Sequence, residues 1–510
     1  MMAYLIGIDL GTSSLKTMLA DEAGGSRVLA SVDYQFDVPY AGYAEQDANI
    51  WWDALVSTVR KVLQDASVRP EEIAGISFSG QMHGIVPIDR EGKCIRPAIL
   101  HCDARSATQV EEINKTFGID RIRELMMNPV YSGFLLVSLL WIRENEPQNY
   151  ERIHRVLSPK DYLKYRLTGI CASEPSDASA TLAYDIRKGT WSEEILERLK
   201  IDKDLFPKII ETDGVVGSVT ESAARETGLS VQTLVVSGGG DQVMQGVGNG
   251  VTAVGAACVN IGTSGQYSIQ SDEPILNPAL STNTFCGYKK GRWFTMGAIM
   301  NAGLCMKWGS EILKTSSYEE WNEAAKKTVP GSGGVIFLPY LNGERTPHVN
   351  PNLSGALWGV NLKTGRAEVM RAIMEGVVFA LNECKEICAG LGLAQKGVIV
   401  SSGGGARSRE WLQMQADILG APLKVASVQE QACMGAVITA GSGAGIFKDI
   451  EEGCRACVTY SDEVIEPDQQ SQKIYREYYG QYLDLMHAAA KQLEAVTILG
   501  RETEKVMKQK

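Results

Sequence analysis

The sequence predicts an α/β protein made of two similar lobes that share a central cleft, and three observations predict it. The first is Thr233-Leu-Val-Val-Ser-Gly-Gly-Gly-Asp-Gln-Val-Met-Gln-Gly246, an apolar, β-branched run ending in three glycines and a carboxylate before a segment able to start a helix. This is the pattern of a buried parallel strand running into a sharp turn. The second is an echo of that unit at Val398-Ile-Val-Ser-Ser-Gly-Gly-Gly-Ala406. The third is a pair of Gly/Thr/Ser turns after short apolar runs, at Leu10-Gly-Thr-Ser-Ser-Leu-Lys16 and Val259-Asn-Ile-Gly-Thr-Ser-Gly265. The chain order is therefore turn, strand and glycines, turn, strand and glycines, and such repetition outweighs any local motif. A chain of 510 residues is also too long for a single core. The glycines between Gly246 and Gly255 mark the division, giving lobes over residues 1–246 and 247–455 and an extension over 456–510.

In chain order, Tyr4 to Asp9 reads as a strand ending in a carboxylate, and Val28 to Val38 as the next strand of a meander. Between them, the N–H groups and hydroxyls of Gly11, Thr12 and Ser13 suit a nucleotide phosphate, with Asp9 beside its metal ion. An ordinary β-turn is the alternative, and the GxxxxGK[ST] loop is absent. Ile73 to Phe78 is a strand leading into the polar, glycine-rich Ser79-Gly-Gln-Met-His-Gly84, and a second strand-like run, Ile95 to Leu100, ends before His101-Cys-Asp103. Gln81, His83, Asp103 and Arg105 can give the dense polar contacts a polyhydroxylated ligand needs. Alternatively, His83 is a satisfied core histidine and Asp103 forms a surface bridge with Arg105. Phe134 to Trp141 is too short for a membrane span and reads as a core helix. Asp241, at the carboxyl end of its strand, is where open α/β sheets place ligands. It reads as a general base or as a helix N-cap. From Ser471 to Val496, Ile474, Tyr478, Tyr482, Leu485, Ala489 and Leu493 recur at helical spacing, which predicts an amphipathic helix covering a lobe, with the last dozen residues fraying.

Composition sets limits. A net charge of −11 argues against a nucleic-acid surface. The start of the chain lacks a signal-peptide pattern, so the 11 scattered cysteines read as reduced thiols of a cytoplasmic protein. Cys454 and Cys457 have CxxC spacing without a second pair for zinc, and Cys384 and Cys388 read as core residues.

These residues resemble the FGGY carbohydrate kinases, within the actin, Hsp70 and hexokinase-like (ribonuclease H-like) ATPase group, with the nearest likeness to the xylulokinases. Ile6 to Lys16 looks like the family's first phosphate loop, Gly80 to Gly84 its GQMHG run, and Pro159 to Gly169 its PKDYLRYRLTG segment. Ser176-Asp-Ala178, Pro339 to His348 (PYLxGERTPH) and Gly403 to Ser408, like the adenosine motif, complete the match. The resemblance implies an ATP:carbohydrate phosphotransferase with ATP and Mg²⁺, acting on a ketopentose, D-xylulose foremost. By position, it implies that Asp241 is the base, that Asp9 reaches the magnesium shell, directly or through water, and that Gln81, Met82, His83, Asp103, Asp241 and Gln242 hold the sugar. Gly11, Thr12, Ser13, Lys16, Gly262, Thr263, Gly404, Gly405 and Ser408 would hold ATP. Three departures stand out: His101-Cys-Asp-Ala-Arg105 replaces the usual WNDxR, GGGDQ replaces GGGDN through Gln242, and the string FGGY is missing. The first two touch the sugar pocket and leave ribulose, gluconate or a glycerol-like polyol as alternatives. An actin- or Hsp70-like nucleotide switch is the rival from another class. The partners implied are a sugar and neither nucleic acid nor membrane, with a homodimer left open.

Overall fold

The computed structural model describes residues 3–25 and 27–508. In the first lobe, β1 (Tyr4–Leu10), β2 (Ser14–Asp21) and β3 (Arg27–Asp33) form an antiparallel meander, and β4 (Ile73–Gly80) lies parallel to β1. Helices α1 (Leu135–Asn145), α2 (Pro159–Thr168) and α3 (Pro175–Ser179) lie farther along the chain, before the sheet's remaining strands. The sheet then closes with β5 (Val215–Ser218) and β6 (Leu234–Val236), in the order β5-β6-β4-β1-β2-β3. Helix α4 (Asp241–Gly248) follows. Central strands buried on both faces need continuous apolar runs, and Leu5, Ile6, Ile8, Ile76, Phe78 and Val235 supply them with no exposed surface.

The second lobe repeats the plan. Strands β7 (Ala257–Ile261), β8 (Gly265–Ser271), β9 (Asn283–Cys286) and β10 (Trp293–Ile299) precede α5 (Gly303–Leu313) and the long α6 (Arg366–Gly390). Then come β11 (Ile399–Gly403), α7 (Arg409–Leu419) and β12 (Leu423–Val425), giving the sheet order β9-β10-β8-β7-β11-β12. In each lobe an antiparallel run starting from the first strand (β1-β2-β3 and β7-β8-β10-β9) lies on one side, and two strands parallel to the first (β4 and β6, β11 and β12) lie on the other. That is the repetition the sequence displays.

Helix α8 (Gln431–Gly443) comes from the C-terminal half of the chain but lies across the first lobe's sheet and against α4. The approach is backbone to backbone. A Cβ at Gly7 would overlap the Cys433 carbonyl, one at Gly248 the Gln431 carbonyl, and one at Gly435 the Met244 carbonyl. Only residues without side chains permit that spacing.

The C-terminal helix α9 (Gln469–Lys508) departs from expectation in two ways. Its buried face is Tyr475, Tyr479, Tyr482, Met486 and Ala489, which includes the expected Tyr482 and Ala489 but takes Tyr475 and Tyr479 in place of Ile474 and Tyr478, because carboxylate partners fix those tyrosines. Tyr475 Oη donates to Glu375 at 2.8 Å and Tyr479 Oη to Glu386 at 3.0 Å. The helix also continues through Lys508, where fraying is expected. The third strand ends at Asp33 rather than Val38, and of the Ile95–Leu100 run only Ala98–Ile99 is strand. Phe134 to Trp141 is a core helix as expected, with Leu136, Val137, Leu139 and Leu140 fully buried. Cys384, Cys388, Cys454 and Cys457 are buried in helices.

Candidate active site

Strand register assembles the first half of the site. Asp9 lies opposite Lys16 on β2 and beside Ser79 on β4, while Gly239 pairs with Ser79 and Gly240 with Gly80. Asp241 is the next residue, so Asp9 and Asp241 emerge at one edge of the sheet. Ser79 Oγ donates to Asp9 at 2.7 Å, and the Gln242 N–H donates to Asp241 Oδ1 at 2.7 Å. Asp241 is the first residue of α4 and its side chain does not cap that helix. Burial, with the nearby Asp9 charge adding to it, pushes the Asp241 carboxyl up to about 7; burial also raises Asp9, against the Ser79 hydrogen bond and Lys16. A carboxyl near neutrality at a strand end is suited to exchange a proton with a ligand hydroxyl.

The first turn is held by Gly11 N–H donating to the Ser14 carbonyl at 2.9 Å, and Thr12 Oγ1 donates to Gln81 Oε1 at 3.2 Å. Gln81 is 3 % exposed and its Nε2 has no partner, so this side chain joins the turn to the sugar-type segment with a donor to spare. Lys16 stands inside β2 rather than in the turn, and its Nζ is 2.7 Å from Glu430 Oε2 at the start of α8. It ties the meander to α8.

The next wall is aromatic. His83 adopts φ +75°, a left-handed conformation uncommon and strained for a non-glycine residue. Its Nδ1–H donates to the Ala180 carbonyl at 2.8 Å, which leaves Nε2 as an acceptor. The ring stacks on Phe134 at 4.1 Å, with Phe285 of the second lobe 5.8 Å away. Burial pushes His83 down to about 3 and His101 to about 4, with Arg345 contributing to both. Met82 packs on Gly240, where a Cβ would come within 2.7 Å of its Cγ. Arg345, from the second lobe, stands 5.7 Å from the Tyr131 ring centroid, and among the described residues it makes no ion pair. Burial raises its neighbour Glu344 to about 8, so that carboxyl is largely neutral near pH 7.

Asp103 differs from a free sugar ligand. Its side chain has no exposed surface, Arg105 Nε reaches both of its oxygens at 2.9–3.0 Å, and the Ala44 N–H donates to Oδ2 at 2.6 Å. Arg105 stacks on Tyr43 at 3.8 Å and pairs with Glu45. The bridge with Arg105 therefore exists, but it is buried and forms the foundation of the wall.

In the second lobe Ile261 pairs with Gly403, which brings the turn Gly262–Ser264 level with Gly404 and Gly405. Gly262, Thr263, Gly404 and Gly405 border a cavity of about 480 Å³ with Ser408, Trp321, Asn322, Met374 and Trp411. Ser408 caps α7 by accepting from Trp411 N–H at 3.1 Å, and its Oγ donates to Asn322 at 2.6 Å. The size and the apolar, aromatic lining suit a flat heterocycle. The sequence singles out Gly262, Thr263, Gly404, Gly405 and Ser408 here, but not the aromatic walls. Phe134, Phe285 and Tyr131 on the other side of the cleft also carry no sequence signal beyond being apolar.

Residues 4–248 match the N-terminal domain, and residues 257–444 the C-terminal domain, of the FGGY family of carbohydrate kinases. The chain belongs to the FGGY carbohydrate kinases. Within this family it is 34% identical to a xylulose kinase of Staphylococcus xylosus, over 94% of this chain and 99% of that protein. A solved xyloylose kinase from Brucella ovis superposes with a TM-score of 0.90 at 30% identity, covering 96% of this chain and 100% of that one. A gluconate kinase from Lactobacillus acidophilus has a TM-score of 0.91 at 24% identity, with 96% and 99% covered, which shows a common fold alone. As an FGGY kinase the protein is a sugar phosphotransferase with ATP as co-substrate, and the fold is the two-lobed α/β architecture of that family. No helix among its described residues is long and apolar enough to cross a membrane.

Proposed function

We propose that this kinase transfers the γ-phosphoryl group of ATP to a ketopentose, D-xylulose, giving D-xylulose 5-phosphate. The observation that carries the mechanism is Asp241, a carboxyl raised to about 7 at the strand end between the sugar wall and the nucleotide turns. The substrate identity rests on the xylulose kinases among the relatives. In this reading the sugar lies against Met82, His83 and Gln242, with His83 Nε2 accepting from a hydroxyl. Asp241 takes the proton of the attacking hydroxyl as its oxygen bonds to phosphorus and ADP leaves. The turns at Gly11–Ser13 and Gly262–Thr263 face the phosphates, and Gly404, Gly405 and Ser408 border the adenosine.

The two carboxylates Asp9 and Asp241 fit Mg²⁺, which binds through one or two carboxylates plus phosphates and water. Asp9 would hold it, directly or through water, and the bound ion would supply neutralisation of phosphate charge. A phosphate contact from Lys16 requires release of Glu430. Closure of the lobes keeps water from taking the phosphoryl group. Each of these residue roles, the two lobe boundaries and a cytoplasmic location belong to the proposal.

A second reading has an observation of its own. Arg345 brings an unpaired cation beside His83 and His101, with Glu344 largely neutral, and such a charge favours a sugar acid. Coupled ADP-release assays over ketoses, polyols and sugar acids separate the two. D-xylulose is expected to give the highest kcat/KM. A sugar acid or polyol turned over tenfold better would replace D-xylulose, and no ADP release with any of them would remove the kinase mechanism.

A further inference from the structure

Beneath the glycine turn that carries Asp241 lie five charged side chains with no exposed surface. Lys160 Nζ is 2.8 Å from Asp161, 3.2 Å from Glu174 and 2.9 Å from Asp177, and Lys164 Nζ is 2.8 Å from Asp161. Two lysines face three carboxylates, and burial pushes Asp177 up to about 7, so one shared proton brings the cluster to neutrality. Buried ion networks are poor sources of stability compared with apolar packing of the same volume, and their best use is to specify one arrangement.

The arrangement they specify is the turn itself. Lys164 Nζ donates to Ser237 Oγ at 3.2 Å, at the start of Ser237-Gly-Gly-Gly-Asp241. At the other end, the Gly240 N–H donates to Ser176 Oγ at 2.9 Å, and that hydroxyl donates to Glu174 Oε1 at 2.8 Å. Glu174 also accepts from the N–H groups of Ser176 and Asp177, which orients the hydroxyl from the N-terminus of α3. The far end of α3 reaches the opposite lobe, because Ser179 Oγ accepts from the Cys286 N–H at 3.0 Å, and the next carbonyl, Ala180, holds His83. Three consecutive glycines have more freedom to lose than any other tripeptide, so they do not hold a carboxylate in place unaided. A displacement of about 1 Å at a reacting group is enough to cost on the order of a hundredfold in rate.

We propose that the buried cluster Lys160, Asp161, Lys164, Glu174 and Asp177 is the positioning frame of Asp241, acting through two tethers, Ser176 and Ser237. None of the five touches substrate. The proposal rests on Asp241 being the base.

The test is Ser176→Ala and Ser237→Ala in the full chain, with Asp241→Asn measured alongside. All are assayed on the most active sugar of the panel, with rates normalised to folded sites counted by ATP binding. Each serine variant is expected to lower kcat about tenfold, the loss of one hydrogen bond worth roughly that factor, with KM for sugar and ATP within about twofold. A merely structural role would lower the melting temperature and leave kcat per folded site unchanged. If both variants, or the one that folds, keep kcat within twofold while Asp241→Asn is inactive, the frame is overturned and the base stands. A rise in KM without a fall in kcat also overturns it. If Asp241→Asn retains more than a tenth of kcat, the base reading falls and the frame falls with it.

Discussion

Asp241→Asn should separate chemistry from stability in one variant. Removing the proton acceptor should lower kcat on the order of 10²-fold or more while ATP still binds. The same change should stabilise the fold, more so as pH rises. The carboxyl sits near 7 in the native state against 3.8 as its ordinary value. A native pKa above the unfolded one means that the native state holds a proton the unfolded chain has released. The resulting cost is absent well below pH 4, grows between 4 and 7, and is complete above 7. Three units correspond to about 4 kcal/mol when complete, as an order of magnitude. At pH 5.5 about 2 kcal/mol of that is already present, so the advantage of the asparagine variant should widen by about 2 kcal/mol between pH 5.5 and 8.5. In a lobe of this size that is about 4–8 °C in melting temperature. Differential scanning of both proteins at the two pH values, without ligands, measures it. An equal difference at both pH values would show that Asp241 does not carry a raised carboxyl. Retention of more than a tenth of wild-type kcat would show that it is not the base.

Asp103→Ala removes one of the two carboxylates on the buried Arg105 and leaves Glu45, so a loss of about 1.5–3 kcal/mol in stability is expected together with a raised sugar KM; a higher sugar KM at unchanged melting temperature would restore Asp103 as a direct sugar ligand. Gly404→Leu has room for its first carbon, with the Ile261 carbonyl 3.6 Å from a Cβ, and its side chain would take up part of the 480 Å³ cavity that Gly404 borders. It should raise KM for ATP at least tenfold and leave KM for the sugar unchanged, which separate titrations of the two substrates read directly. Small-angle scattering should report a smaller radius of gyration with saturating sugar, and an unchanged radius would count against closure of the lobes.

The sequence makes the repeated strand-and-glycine units legible because buried parallel strands need continuous apolar runs and sharp turns need glycine. His83 is legible because a histidine among glycines and polar residues is out of place in a plain core strand. Other features depend on contacts that no local pattern encodes. Phe285 and Arg345 come to His83 from the opposite lobe, about two hundred residues or more along the chain. Asp103 is satisfied by Arg105, two residues away, but its burial depends on Ala44 and Tyr43. Lys16 lies in a motif that reads as a phosphate loop, yet its charge is met by Glu430, 414 residues on. On α9 periodicity finds Tyr482 and Ala489, but Tyr475 and Tyr479 are drawn in by their bonds to Glu375 and Glu386.

The glycine contacts of α8 bear on how mutations in this enzyme should be read. Gly7, Gly248 and Gly435 lie where the backbones of the two halves of the chain meet, and at each the added carbon of alanine would overlap a carbonyl. A joint made of main chain has no side chains to repack, so it offers no graded compensation. In a saturation screen these positions would behave as all-or-none sites. An inactive clone altered there says that the two halves no longer fit together, and nothing about how the phosphoryl group is moved.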